Sequence, residues 1–234
     1  MVDSVLKGIT LDNRIVEALK NHRIINMTKP YSEFGMSRYK KRRDVKDEDM
    51  FSYSGKKIFV HLDNGDVIGF ASNDVKRSIV TWFDEKDGVK EYFYLCRSGV
   101  EFSYDDPIHS VKDNWSGIIN EKVISITVFT VKKPVEDKKF VDSFEAAILL
   151  ETAKGNMLIS DASAAFKYSS SMPVVKLEDA PDGFFDNLEA RVLWNQLTFM
   201  SKIKQLEVLY NKVYEFHNDK DNTMSSIKIT QAVG

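Results

Sequence analysis

Ile58-Phe59-Val60-His61-Leu62-Asp63-Asn64-Gly65-Asp66-Val67-Ile68-Gly69-Phe70-Ala71 is the stretch that decides the fold class. Ile58, Val60 and Leu62 alternate with Phe59 and His61, the period of two expected of a strand with one buried face. Asn64-Gly65 supplies two residues that tolerate positive φ, so the chain reverses there and 67–71 returns as the partner strand.

Reading outward, 78–83 (Ser-Ile-Val-Thr-Trp-Phe) is a further β-rich run, closed by Glu85-Lys86-Asp87-Gly88, and 89–96 reads as a fourth strand. Short reversals between successive strands predict an antiparallel meander, because a βαβ crossover needs a dozen or more residues. The stretch 100–116 is polar and turn-rich around Asp105-Asp106-Pro107. There a single domain over 1–234 subdivides into a sheet part at 1–104 and a second sheet plus helix at 105–234. Beyond it, 123–131 has the strongest β character of the chain. The run 144–151 follows, then a turn over 152–156 and a return at 157–160. A faint echo links the hairpins at an offset of ninety residues. Ile58-Phe59-Val60 falls on Ile148-Leu149-Leu150, Gly65 on Gly155, and Val67-Ile68 on Met157-Leu158, aligned without a gap.

Two helices frame these strands in the reading. Asp12 or Asn13 caps the first, which buries Ile15, Val16 and Leu19 on one face and frays near Asn21-His22. Asp186 or Asn187 caps the second, which runs to about Phe216 on the spacing of Val192, Phe199, Ile203, Leu206, Tyr210 and Val213. Its first half covers a sheet, and its second half leaves a narrow seam for the N-terminal helix or for a second copy in a homo-oligomer. The expected fold class is therefore α+β: a largely antiparallel sheet of hairpins and meanders, with an N-terminal helix and a long C-terminal helix packed on it.

Composition narrows the function classes. With 43% apolar and 12% aromatic residues the chain can bury a core, and 11 Gly with 5 Pro leaves little for linkers. Its longest apolar run is five residues, 146–150, against the roughly 20 that a membrane helix needs. The start, Met1-Val2-Asp3-Ser4, lacks the features of a secretory signal, and one cysteine, Cys96, suits a reducing compartment; both point to the cytoplasm. Glycine-rich phosphate loops and an exposed-serine elbow are absent, so no cofactor is expected. The histidines His22, His61, His109 and His217 lack metal-ligand spacing, so no metal and no catalytic set is expected. His61 with Asp63, and Asp106 with His109, are better explained by the turns that contain them. A basic run over 38–46 includes Tyr39, but three acids follow it, so nucleic acid is a poor match.

Charge gives the positive indication. The net charge is −2, yet residues 101–190 carry 9 basic and 16 acidic side chains. Such a segment steers basic partners toward it and repels phosphates. The reading is a non-catalytic cytoplasmic protein-binding protein, most concretely a bacterial immunity protein that neutralises a basic toxin domain through an acidic surface. Phe102, Tyr104, Asp105, Asp106, Asp113 and Trp115 form the expected contact stretch, with aromatic anchors among carboxylates. The alternatives are an assembly component docking through the C-terminal helix and an enzyme whose site is built from scattered residues.

Overall fold

The computed structural model describes residues 7–31, 41, 45–73, 78–90, 100–132, 145–161 and 172–196. The chain divides into compact units Met1–Gln196 and Leu197–Gly234, and every described residue belongs to the first.

Asp12 accepts a hydrogen bond from the Arg14 N–H and starts helix α1 (Asn13–Asn21), which buries Ile15, Val16 and Leu19. Strand β1 (Arg23–Tyr31) follows at once. A one-turn helix α2 (Met50–Tyr53) precedes the hairpin of β2 (Lys57–Leu62) and β3 (Val67–Asn73), and β4 (Ser78–Glu85) pairs with β3. Strand β5 (Val100–Ser103) returns to pair with the end of β1. A 3-10 turn (Lys112–Trp115) leads into β6 (Glu121–Val131), β7 (Glu145–Thr152), β8 (Asn156–Ser160) and the two-residue β9 (Val174–Val175). A second 3-10 turn (Leu177–Asp179) precedes β10 (Leu188–Asn195), which pairs with β6. All pairings are antiparallel, and the main path runs β4-β3-β2-β1-β6-β7-β8-β9.

Two expectations are corrected. Among the described residues there is no long C-terminal helix packed on the sheet; the fold is mostly antiparallel sheet. Residues 188–195 are a strand, and positions 197–216 of the expected helix lie outside the described residues. Seven ladder pairs with β6, interrupted by a bulge between Val192 and Trp194, satisfy the backbone there, and they override the helical spacing of the side chains. Strand β1, not among the strands expected from the sequence, is central to the sheet. The strand expected over 89–96 lies mostly outside the described residues.

Register turns the faint hairpin echo into a full repeat. Ile24, Asn26, Met27 and Thr28 face Leu62, His61, Val60 and Phe59. Val123, Ser125, Ile126 and Thr127 face Thr152, Glu151, Leu150 and Leu149. Each β6 residue stands ninety-nine positions after its β1 counterpart and each β7 residue ninety after its β2 counterpart. The bulge recurs at the same place, after Ile24 and after Val123. Strands β3 and β8 correspond at eighty-nine, so Ile68 matches Met157 and not Leu158; the second hairpin loop is one residue shorter, and the gapless alignment is corrected. Strands β5 and β10 correspond as well, since Ser103 faces Thr28 and Val192 faces Thr127.

The two repeats, each ordered 4-3-2-1-5, meet about a local two-fold axis. Arg23 pairs with Lys122, its own counterpart. Ser72 Oγ donates to Asp161 Oδ2 at 3.0 Å, again between counterparts. Glu145 N–H donates to Ser78 Oγ, and Met172 N–H donates to Gly55 O, so each repeat also bonds to the other beyond the seam. One apolar core collects Met27, Val60, Ile68 and Phe70 from the first repeat and Ile126, Leu150, Met157 and Ile159 from the second. Each repeat adds a smaller cluster on its outer face, around Trp82 and around Phe129.

Candidate functional site

Phe102 is held by β5 with its side chain inward, stacked between Tyr31 at 4.9 Å and His109 at 4.2 Å. Tyr104 is half-buried against the core. Trp115 is 1% exposed and meets Phe51 edge-on at 5.7 Å. Phe102 and Trp115 are thus buried packing groups, and Tyr104 is half-buried.

The three carboxylates stand differently. Asp106 organises its turn: it accepts the N–H groups of Ile108 and His109 at 2.9 Å and lies 3.0 Å from His109 Nδ1. Burial works to raise its carboxyl, but these donors outweigh burial and hold it below the usual carboxylate range. Asp105 accepts from Ser103 Oγ and is exposed, and Asp113 is exposed on the 3-10 turn. Between them project Ile108, 59% exposed, and Val111, 38% exposed. The sequence reading passed over both, although two apolar residues in so polar a stretch were the available signal. The surface of 105–113 is therefore an apolar pair set among Asp105, Asp106 and Asp113, with Lys112 exposed beside them.

This segment leans on α2, where the Phe51 N–H donates to His109 O at 2.8 Å. Beside the contact a cleft of about 270 Å³ opens. Among the described residues its walls are lined by Asp49, Ser52 and Tyr53, by Asn114 and Trp115, and by Val175, Lys176 and Asp179. Trp115 is the expected contact residue found here. Asp49 and Asp179 were not singled out, because 130 positions of sequence separate them.

Buried anchors fix both walls. Lys29 is fully buried, and its Nζ donates to Ser54 O and Met172 O at 3.0 Å, tying the end of α2 to the segment that enters β9. Burial pushes its ammonium well below the ordinary lysine value. Tyr31 Oη donates to Met50 O at 2.8 Å. On the opposite wall, Asn156 Oδ1 accepts the Leu177 N–H at 2.6 Å, while its Nδ2 donates to Glu178 at 3.2 Å.

The other polar groups weighed from sequence serve the fold. His61 Nε2 lies 2.9 Å from Thr28 Oγ1, whose hydroxyl also donates to Glu101. Asp63 lies 3.2 Å from His22 Nδ1. Among the described residues no group of three or more His, Cys, Asp or Glu side chains could hold a metal, and no helix is long and apolar enough to cross a membrane. Cys96, His217 and most of the basic run over 38–46 lie outside the described residues. No protein-family model, curated protein or solved structure matches the chain.

Proposed function

We propose that the chain is a non-catalytic protein-binding module that engages a basic protein partner through the face built from 105–113, most concretely as a bacterial immunity protein opposing a toxin domain. The observation that carries this reading is the exposed pair Ile108 and Val111, set among Asp105, Asp106 and Asp113. An apolar centre inside a charged rim is the layout of a binding patch: the centre gives affinity, and the rim gives orientation and speed.

The partner under test is a basic toxin domain encoded beside this chain. Asp105→Lys with Asp113→Lys spares the structural turn made by Asp106. This variant is expected to slow association about tenfold at low salt and far less at high salt. Ile108→Glu is expected to speed dissociation. Rates unchanged at both salts, together with unchanged dissociation for Ile108→Glu, would remove the face from consideration.

A further inference from the structure

We infer that the chain associates with a second copy of itself by edge-to-edge pairing of β10 about a two-fold axis at Ala190. Among the described residues β10 pairs with β6 along one side and with no strand along the other. Lys132 N–H donates to Asn187 O, and this fixes the phase of the ladder. Asn187, Glu189 and Arg191 turn their main-chain groups toward β6, while Leu188, Ala190 and Val192 turn theirs outward. Phe185 O takes the Leu188 N–H at 3.0 Å. The Leu188 carbonyl and both main-chain groups of Ala190 and Val192 remain along the edge. Residues 189–192 are exposed on both faces of the strand, Val192 to 55%.

An open edge is a template for another strand, and natural sheets guard it with inward charges, proline or bulges. Here the bulge between Val192 and Trp194 ends the regular stretch, which runs from Leu188 to Val192 and is centred on Ala190. The charges choose the occupant. Two copies of this stretch, antiparallel about Ala190, set Glu189 of each opposite Arg191 of the other. Those positions are non-hydrogen-bonded pairs of the new ladder, where side chains come closest. Moving the axis by one residue opposes Glu189 to Glu189 or Arg191 to Arg191, so charge admits one register. In it each Ala190 N–H donates to the Ala190 carbonyl of the other copy, and each Val192 N–H to the other copy's Leu188 carbonyl.

The first repeat closes this option. Pro30 faces Glu101 and Phe129 faces Ala190, so Glu101 stands where Ala190 does. Pairing β5 with its own copy about that position would bring two carboxylates together, and β5 spans only Val100–Ser103. Self-pairing is therefore a property of β10 and not of the architecture. A ladder this short falls below the roughly 1,200 Å² of a standard stable interface, so the dimer is weak and depends on concentration. It uses no residue of 105–113 and stands or falls apart from the proposed partner face.

Sedimentation equilibrium of the full chain at low salt, from micromolar to millimolar concentration, tests the pairing. A monomer–dimer equilibrium is expected. Arg191→Glu and Glu189→Arg each turn the attractive cross-pairs repulsive and are expected to weaken it about tenfold or more. Combining them restores opposite charges and should restore most of the affinity. Ala190→Pro removes the central donor without touching the β6 ladder, because that N–H points outward, and should leave a monomer with unchanged circular dichroism. A wild-type chain that stays monomeric at millimolar concentration, single charge variants that dimerise like the wild type, or a double variant as weak as the singles would overturn the inference. A monomeric chain whose affinity for the basic toxin domain falls with Ala190→Pro would give the edge to that partner, and the second copy would again be excluded.

Discussion

At the crossing of strands three and four, the first repeat sets Gly69 opposite Trp82, whereas the second sets Leu158 opposite Val175. A Cβ on Gly69 would stand 2.3 Å from the Trp82 ring. Each repeat fills the same outer face, one with a single large ring over a bare backbone, the other with two aliphatic chains. The inner face hardly differs: Met27 and Ile126, Ile58 and Ile148, and Val60 and Leu150 are counterparts, all buried. Packing volume is conserved where the repeats share a core and redistributed where each covers itself. The shared core thus reports the architecture, and the outer faces tolerate different ways of filling the same space.

That comparison can be broken most forcefully at Gly69. Gly69→Leu drives side-chain atoms into Trp82 and is expected to cost about 3 kcal/mol or more in denaturant unfolding. Adding Trp82→Val reproduces the pair of the second repeat and should recover much of the loss. If the double variant is no better than the single one, the outer faces are not interchangeable.

Next in size is Glu145, at the start of β7. Its carboxylate accepts the N–H groups of Ile9 and Thr10 at 2.9 and 3.0 Å. Glu145→Ala leaves these donors without their acceptor, an expected loss of about 2 kcal/mol. Burial raises this carboxyl against the opposing pull of the donors. A raised folded value means that its stabilising contribution is full below the unfolded value and declines as pH rises through the folded one. Glu145→Gln should flatten that acid-side slope while keeping one acceptor.

Lys29 stands where the second repeat has Val128. With its folded value lowered by burial, the unfolded chain binds the proton more readily, so stability rises with pH through the window between the lowered value and the ordinary lysine value. Lys29→Met should abolish that rise, and a persisting rise would assign it to other groups.

The smallest effect is expected from Asp12→Ala, at about 1 kcal/mol for loss of the α1 cap. Hydrogen bonding from Arg14 holds Asp12 below its ordinary value, so this contribution is present above the unfolded value and fades as pH falls through the folded one. An acid titration of stability, with and without the substitution, measures it.

How much of this was written legibly in the chain depends on whether a period survived. The hairpin over 57–73 alternates cleanly and announces itself through Asn64-Gly65. Strand β1 does not: its bulge after Ile24 shifts the alternation, and Asn26, Lys29 and Pro30 break up its β-branched residues. Strand β10 also has a bulge, between Val192 and Trp194, and an extra residue in a period of two imitates the three-and-four spacing of a helix. The repeat was hidden by unequal connections: nine residues fewer between β6 and β7 than between β1 and β2, and one fewer in the second hairpin loop. For the site, Asp105, Asp106 and Asp113 were visible as a cluster, but alternation cannot tell a buried Phe102 from an exposed anchor. The cleft needed Asp49 and Asp179 in one place, which only the tertiary structure supplies.

The short ladder at Arg23 and Lys122 also bears on the order in which the molecule assembles. The hairpins over 57–73 and 145–160 can zip within microseconds, since their ends are neighbours along the chain. The central seam joins positions ninety-nine residues apart and has only two ladder pairs to offset the entropy of closing so long a loop. Two locally formed hairpins therefore precede a slow coupling step that completes the shared core. Substitutions along that seam, unlike those within either hairpin, should register chiefly in the folding rate.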